Sequence, residues 1–286
     1  MRRFSYNKIS ILLFLMGPVF SLAASPGVLS DYSQIDEVIG LPEIGGNLSG
    51  VTYNYDTGTY FMIQNNGGKI FEYDRGLRRQ LRLIHMTHLS DLDTEDIVYL
   101  GHNRFALSSE KNHVLIFTLT PGQTTVDLGS GREDVQDFTF PPPAKVNNGL
   151  EGVCYSQNSS SGRGTFYAVQ EKLPERVFSF VWPDSDKDFH QPKDFGLNEY
   201  RDIAKILNGR MNDLSGCTFD PESNHLLLLS HESSRVMELT PAGDLIQTLN
   251  IPPAAKQYEG ITFGPDRELV LVSEPNTVVV MKKHRP

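Results

Sequence analysis

The sequence predicts an all-β protein, a five-bladed β-propeller whose last blade is closed by a strand from the N-terminal region. Three observations carry this. A short phrase recurs five times at intervals of roughly 45 to 65 residues. Strand-like runs and turn residues fill the intervals, and long helical periodicities do not. The fifth copy runs out of chain one strand short. Repeats of this length, made of strands, stack as blades that close into a ring.

The phrase is a small or acidic residue, then Gly or Asp, then an apolar-x-aromatic strand start. It reads Ser49-Gly50-Val51-Thr52-Tyr53, Glu95-Asp96-Ile97-Val98-Tyr99, Glu151-Gly152-Val153-Cys154-Tyr155, Ser215-Gly216-Cys217-Thr218-Phe219 and Glu259-Gly260-Ile261-Thr262-Phe263. A second hydrophobic run follows each copy and ends at Gln64, Glu110, Glu171, Glu232 or Glu274. A third run completes each meander, at residues 176–181, 235–240 and 277–282 in the last three copies. Pro, Asp, Asn and Gly mark the turns between runs. Residues 81–85 and 245–251 are fourth, outer strands. The fifth blade lacks its own, and residues 36–41 are expected to pair with 278–281 to supply it, which removes the open edges of the array.

Two insertions break the spacing. Residues 156–164 form a polar hairpin tip. Residues 183–210 contain a stretch at 199–209 with helical spacing and an Asn208-Gly209 stop, so a short helix is expected there.

Arg2, Arg3 and Lys8 precede an apolar stretch at 9–24 that ends in small residues. Residues 1–24 read as a secretory signal peptide, too short for a spanning helix, with an uncleaved N-terminal anchor as the alternative. The propeller domain then covers 32–286, and the protein is expected in the periplasm or medium. Cleavage after Ala24 removes three bases and no acid, taking the net charge from −9 to −12. So acidic a chain disfavours nucleic acid and anionic membrane faces as partners. The two cysteines, Cys154 and Cys217, occupy the fourth and third positions of the phrase. Adjacent strand positions point to opposite faces, so they are expected to be free, buried thiols.

In a propeller the innermost strand of each blade lines a central channel. The phrase starts that strand, and its first residues crowd one channel mouth. Those are Glu95, Glu151 and Glu259, with Asp213 two residues before Ser215. The antiparallel second strand returns Glu110, Glu171, Glu232 and Glu274 to the same rim. Eight carboxylates in one ring cannot all stay ionised without compensation. A bound cation, Lys or Arg partners, and backbone N–H groups are the three available compensations. Lys111 and Lys172 directly follow second-strand glutamates and are expected to point away. An oxygen-only donor set suits Ca²⁺, and Mg²⁺ less well. Clustered His and Cys, as zinc would need, are absent from the pattern. No phosphate loop or nucleophile elbow is present.

Asn212-Asp213-Leu214-Ser215-Gly216, Leu228-Leu229-Ser230-His231-Glu232-Ser233, Glu259-Gly260-Ile261 and Val272-Ser273-Glu274-Pro275-Asn276 resemble motifs of the SdiA-regulated (YjiK-like) bacterial family. Asp93-Thr94-Glu95 and Gly149-Leu150-Glu151-Gly152 do so as well. The resemblance runs from about Leu48 to the C-terminus. It implies a five-bladed propeller distantly related to NHL repeats, with a calcium site. By analogy with such propellers it implies a protein-binding role, here at one rim of a monomer. Two functions therefore stand at this point. One is an exported calcium-binding module or scaffold. The other is a calcium-dependent hydrolase of lactone or phosphoester type, with its site at the channel mouth.

Overall fold

The structure is a computed structural model that describes residues 27–88, 93–129, 131–145, 148–157, 163–183 and 195–284. The leader reading and parts of both insertions, 158–162 and 184–194, lie outside the described residues. Five sheets are present, one per copy of the phrase. The inner strands are Leu48–Asn54, Thr94–Gly101, Leu150–Ser156, Gly216–Asp220 and Gln257–Phe263. Each is followed by an antiparallel second and third strand, and the phrase begins every inner strand as expected. Inner strands of successive blades pack around one axis, the fifth against the first.

Closure is as the chain arithmetic requires. Glu37–Gly40 pairs antiparallel with the final strand Thr277–Met281, with Glu37 opposite Val280 and Gly40 opposite Thr277. The segment before it ties down blades four and five. Val28 N–H donates to the buried Glu238 carboxylate at 2.9 Å, and Leu29 and Tyr32 enter the core between those blades. One strand was not foreseen. Thr125–Asp127 leaves blade two and pairs in parallel with the outer strand Gln80–Thr87 of blade one. It covers an edge that would otherwise be free. The helix expected at 199–209 is shorter, Ile203–Leu207, and plugs Ile203 and Leu207 into the core between blades three and four.

Glycine at the second position of the phrase sets how tightly the ring closes. A Cβ on Gly152 would lie 2.8 Å from Gly216 Cα, and one on Gly260 would lie 2.6 Å from Ser49 O. Blade two has Asp96 there. Its buried carboxylate accepts the N–H groups of Ile97 at 2.8 Å and of Val153 in the next blade at 3.1 Å. Asp96 thus links two inner strands through a side chain where its neighbours meet backbone to backbone.

The cysteine expectation was wrong. Cys154 and Cys217 form a disulfide, with Cα atoms 5.7 Å apart. The alternation argument was sound for one sheet and misapplied to two. Neighbouring blades stack face to face, so blade three presents one face and blade four the opposite one. A fourth-position side chain in one therefore meets a third-position side chain in the next. Both cysteines lie in the single core that Tyr167 and Val169 share with Phe219 and Leu228.

Candidate metal centre at the carboxylate mouth

A β-bulge marks the phrase's first position in four blades. Pairing with the second strand jumps from Leu48 to Gly50, Thr94 to Ile97, Leu150 to Gly152 and Tyr258 to Gly260. The skipped residues include Ser49, Glu95, Glu151 and Glu259. A bulge re-aims the side chain it carries. In blade four Ser215 precedes the strand, and its N–H is held by Leu229 O at 2.9 Å.

Asp93, Glu95 and Glu110 bring one carboxylate oxygen each within 4.8 Å of one another. Glu95 is 3% exposed. Its carboxylate accepts Ser49 Oγ at 3.2 Å and Asn65 Nδ2 at 3.0 Å. Glu110 N–H donates to Asp93 O at 2.8 Å, which fixes the two chains side by side. Asp93 Oδ1 and Asn65 Oδ1 are buried with no hydrogen-bond partner. Two buried acceptors without a donor beside crowded carboxyls form a donor set that could hold a cation.

The charges reflect this crowding. Burial, reinforced by Asp93 and Glu110, pushes Glu95 up to about 8. Burial and the contact with Asp93 take Glu110 to about 7. Burial, with Glu95 and Glu171 adding, holds Glu151 well above the carboxylate range. Burial takes Glu259 to about 7 against the pull of His231, with Glu274 and Asp213 adding to the rise. The glutamates thus feel one another across blades, as a ring around one axis demands.

The other half of the rim is compensated internally. Asp213 is fully buried. Its oxygens accept Ser230 Oγ, the Glu232 N–H at 3.2 Å and His231 Nδ1 at 3.0 Å. Burial opposes its charge, but the hydrogen bonds from His231 and Ser230 outweigh it and hold the carboxyl below its usual range. The same hydrogen bond to Asp213 raises His231. Lys172 does not point away. Its Nζ lies 2.6 Å from Glu171 and 3.0 Å from Glu232, bridging blades three and four. Asn148 Nδ2 also donates to Glu171 at 2.8 Å. Asp213, His231 and Glu232 form a second compact group of possible ligand atoms. Those atoms already satisfy each other or Lys172.

The SdiA-regulated family matches over residues 27–282. The chain belongs to that family. Among solved structures, this family member is similar to Myxococcus xanthus glutaminyl cyclase, at 12% identity over 87% of this chain and 95% of that one, with a TM-score of 0.57. It is similar to a luciferin-regenerating enzyme at 14% identity, covering 86% and 96%, with a TM-score of 0.53. It is also similar to regucalcin of Agrobacterium tumefaciens, a calcium-binding protein, at 13% identity, covering 83% and 91%, with a TM-score of 0.51. Identities this low establish a shared propeller fold and nothing about chemistry.

All eight carboxylates singled out in this SdiA-regulated chain gather at one mouth. Asp93, Asn65 and His231 complete the picture there. Asp93 carried a usable signal, standing two residues before Glu95 as Asp213 stands before Ser215. His231 was visible beside Glu232, but its pairing with Asp213 joins a second-strand end to a loop before the inner strand.

Proposed function

We propose that the protein is an exported, divalent-cation-binding propeller, with calcium as the ion its donors suit. Asp93, Glu95 and Glu110 are the primary ligands, and Glu151 and Glu259 complete the negative ring. The observation that carries this is the meeting of those three carboxylates beside the unpartnered Asp93 Oδ1 and Asn65 Oδ1. The all-oxygen donor set favours a hard cation. The calcium-binding regucalcin on a similar fold agrees with it. Export fits the leader sequence, and the Cys154–Cys217 disulfide suits an oxidising compartment. In this reading the cation stiffens the mouth, and the surrounding rim holds a protein partner. Calorimetric and melting titrations of chelator-stripped protein with Ca²⁺, Mg²⁺, Mn²⁺ and Zn²⁺ test it. Binding heat and a higher melting temperature with Ca²⁺ are expected. Absence of both for all four ions overturns the proposal.

A second reading, a cation-dependent hydrolase, is favoured by one feature. Asp213 orients His231 at the edge of the same mouth, as a carboxylate orients an imidazole acting as acid or base. A bound cation would supply polarisation of a substrate oxygen. His231 would move the proton, and Asp213 would fix its tautomer. Lactone and phosphoester panels, with His231→Gln as control, decide it. Turnover lost in that variant with cation binding retained supports the enzyme, and no turnover on either panel removes it.

A further inference from the structure

The inner strands run from the carboxylate mouth to the opposite end of the channel. There the phrase ends in Tyr53, Tyr99, Tyr155, Phe219 and Phe263, one aromatic from each blade. Together with the turns just beyond them they enclose a cavity of about 390 Å³. That lies within the range of small-molecule sites, which are mostly apolar and aromatic with a few placed polar groups. Thr218 and Thr262 line it deeper in, each 8% exposed and with no hydrogen bond from its hydroxyl to the described residues.

One carboxylate lines the rim, and the Arg267 guanidinium lies over the outer side of the lining Phe263 ring at 4.5 Å. Asp56 is the only ionisable acid or base among the described lining residues apart from tyrosines. It accepts the Tyr99 hydroxyl and the His102 N–H at 3.2 Å, and no Lys or Arg pairs with it. The Tyr99 hydrogen bond holds its carboxyl below the usual range, so it stays an anion at neutral pH. Tyr55, the preceding residue, lines the same cavity on its blade-five side and is 62% exposed. The ring is nonetheless held, edge-on to Tyr53 at 4.9 Å and with its hydroxyl 3.3 Å from Phe263 O. Aromatic faces and a carboxylate that no Lys or Arg among the described residues pairs with line one cavity, the combination that receives an organic cation.

We infer that this aromatic mouth is a second ligand site, for a small organic ammonium ion with an apolar body. The body enters between the aromatics and the ammonium group remains at Asp56 and Tyr55, with Thr218 and Thr262 available to polar atoms deeper in. The site is independent of the cation centre, because it uses the opposite ends of the same strands.

Phenethylammonium is a suitable probe, with phenethyl alcohol as its uncharged counterpart, followed by calorimetry and ligand-observed NMR at saturating Ca²⁺. Phenethylammonium is expected to bind and the alcohol to bind at least about fivefold more weakly. Asp56→Asn, which keeps an acceptor for Tyr99, and Tyr55→Leu are each expected to weaken the amine roughly fivefold at unchanged melting temperature. Amine binding to the native protein is expected to be the same in EGTA as at saturating Ca²⁺. No binding, equal binding of amine and alcohol, or insensitivity to both rim variants overturns the inference. Displacement of the amine by Ca²⁺ does so too, since it places the amine at the carboxylate mouth.

Discussion

Replacing Glu95 by Gln removes a buried carboxyl and keeps its size and its acceptor for Ser49 and Asn65. In the folded protein that carboxyl is raised from 4.5 to about 8, by burial first and then by Asp93 and Glu110. Its folded value lies above its unfolded one, so the folded state holds the proton more tightly. Its contribution is fully present below pH 4.5 and is lost as pH rises towards 8. At about 1.36 kcal/mol per pH unit, the loss reaches about 3 kcal/mol at pH 7 and about 4–5 kcal/mol above pH 8. Glutamine does not ionise. In EGTA, Glu95→Gln is therefore expected to match the native chain near pH 4.5 and to exceed it by about 2–5 kcal/mol at pH 8.5. Calcium is expected to narrow that gap. At a hundred times its Kd it is expected to stabilise the native chain by about 2.7 kcal/mol, roughly 5 °C for a protein of this length, and the variant by much less. Denaturant titrations at pH 4.5, 7 and 8.5, with EGTA or Ca²⁺, read both effects. If the variant is the less stable protein at pH 8.5 in EGTA, Glu95 acts as a lock through Ser49 and Asn65, and the reasoning fails.

Three further outcomes follow from the fold. Cys154→Ala with Cys217→Ala opens a crosslink spanning 63 residues and is expected to cost about 2–4 kcal/mol, read as a denaturant midpoint that falls in the variant and in reductant-treated native protein alike. An unchanged midpoint in both would show that the crosslink contributes no stability. Deleting residues 32–42 removes the strand Glu37–Gly40 and the buried Tyr32, Ile39 and Leu41, so the melting temperature is expected to drop by well over 5 °C. An unaltered melting temperature would mean that this strand does not close the ring. Asp96→Ala leaves the Ile97 and Val153 N–H groups without their buried acceptor and is expected to cost about 2–4 kcal/mol in urea unfolding, against less than 0.5 kcal/mol if the carboxylate is dispensable.

The carboxylate mouth was legible because a propeller is a rotation. A position repeated in sequence becomes a position repeated around an axis, and Glu95, Glu151 and Glu259 had to converge once the blades were counted. Closure by residues 36–41 was legible for a similar reason, since the fifth blade was one strand short. What repetition could not express was departure from it. Asp93 approaches Glu110 because the blade-two bulge spans two residues, Glu95 and Asp96, and the ladder resumes only at Ile97. Lys172 turns inward because Glu232 of the next blade stands beside Glu171, a contact between residues 60 apart.

Sequence alone therefore determined the ring, its blade number, its closure and the mouth where charge collects. These depend on periodicity and strand count, which are properties of the chain. The tertiary structure decided which faces meet between blades. It joined Cys154 to Cys217, paired Asp213 with His231 and set Asp56 apart at the aromatic mouth. Those relations are distances between separate strands, and no spacing along the chain encodes a distance across an interface.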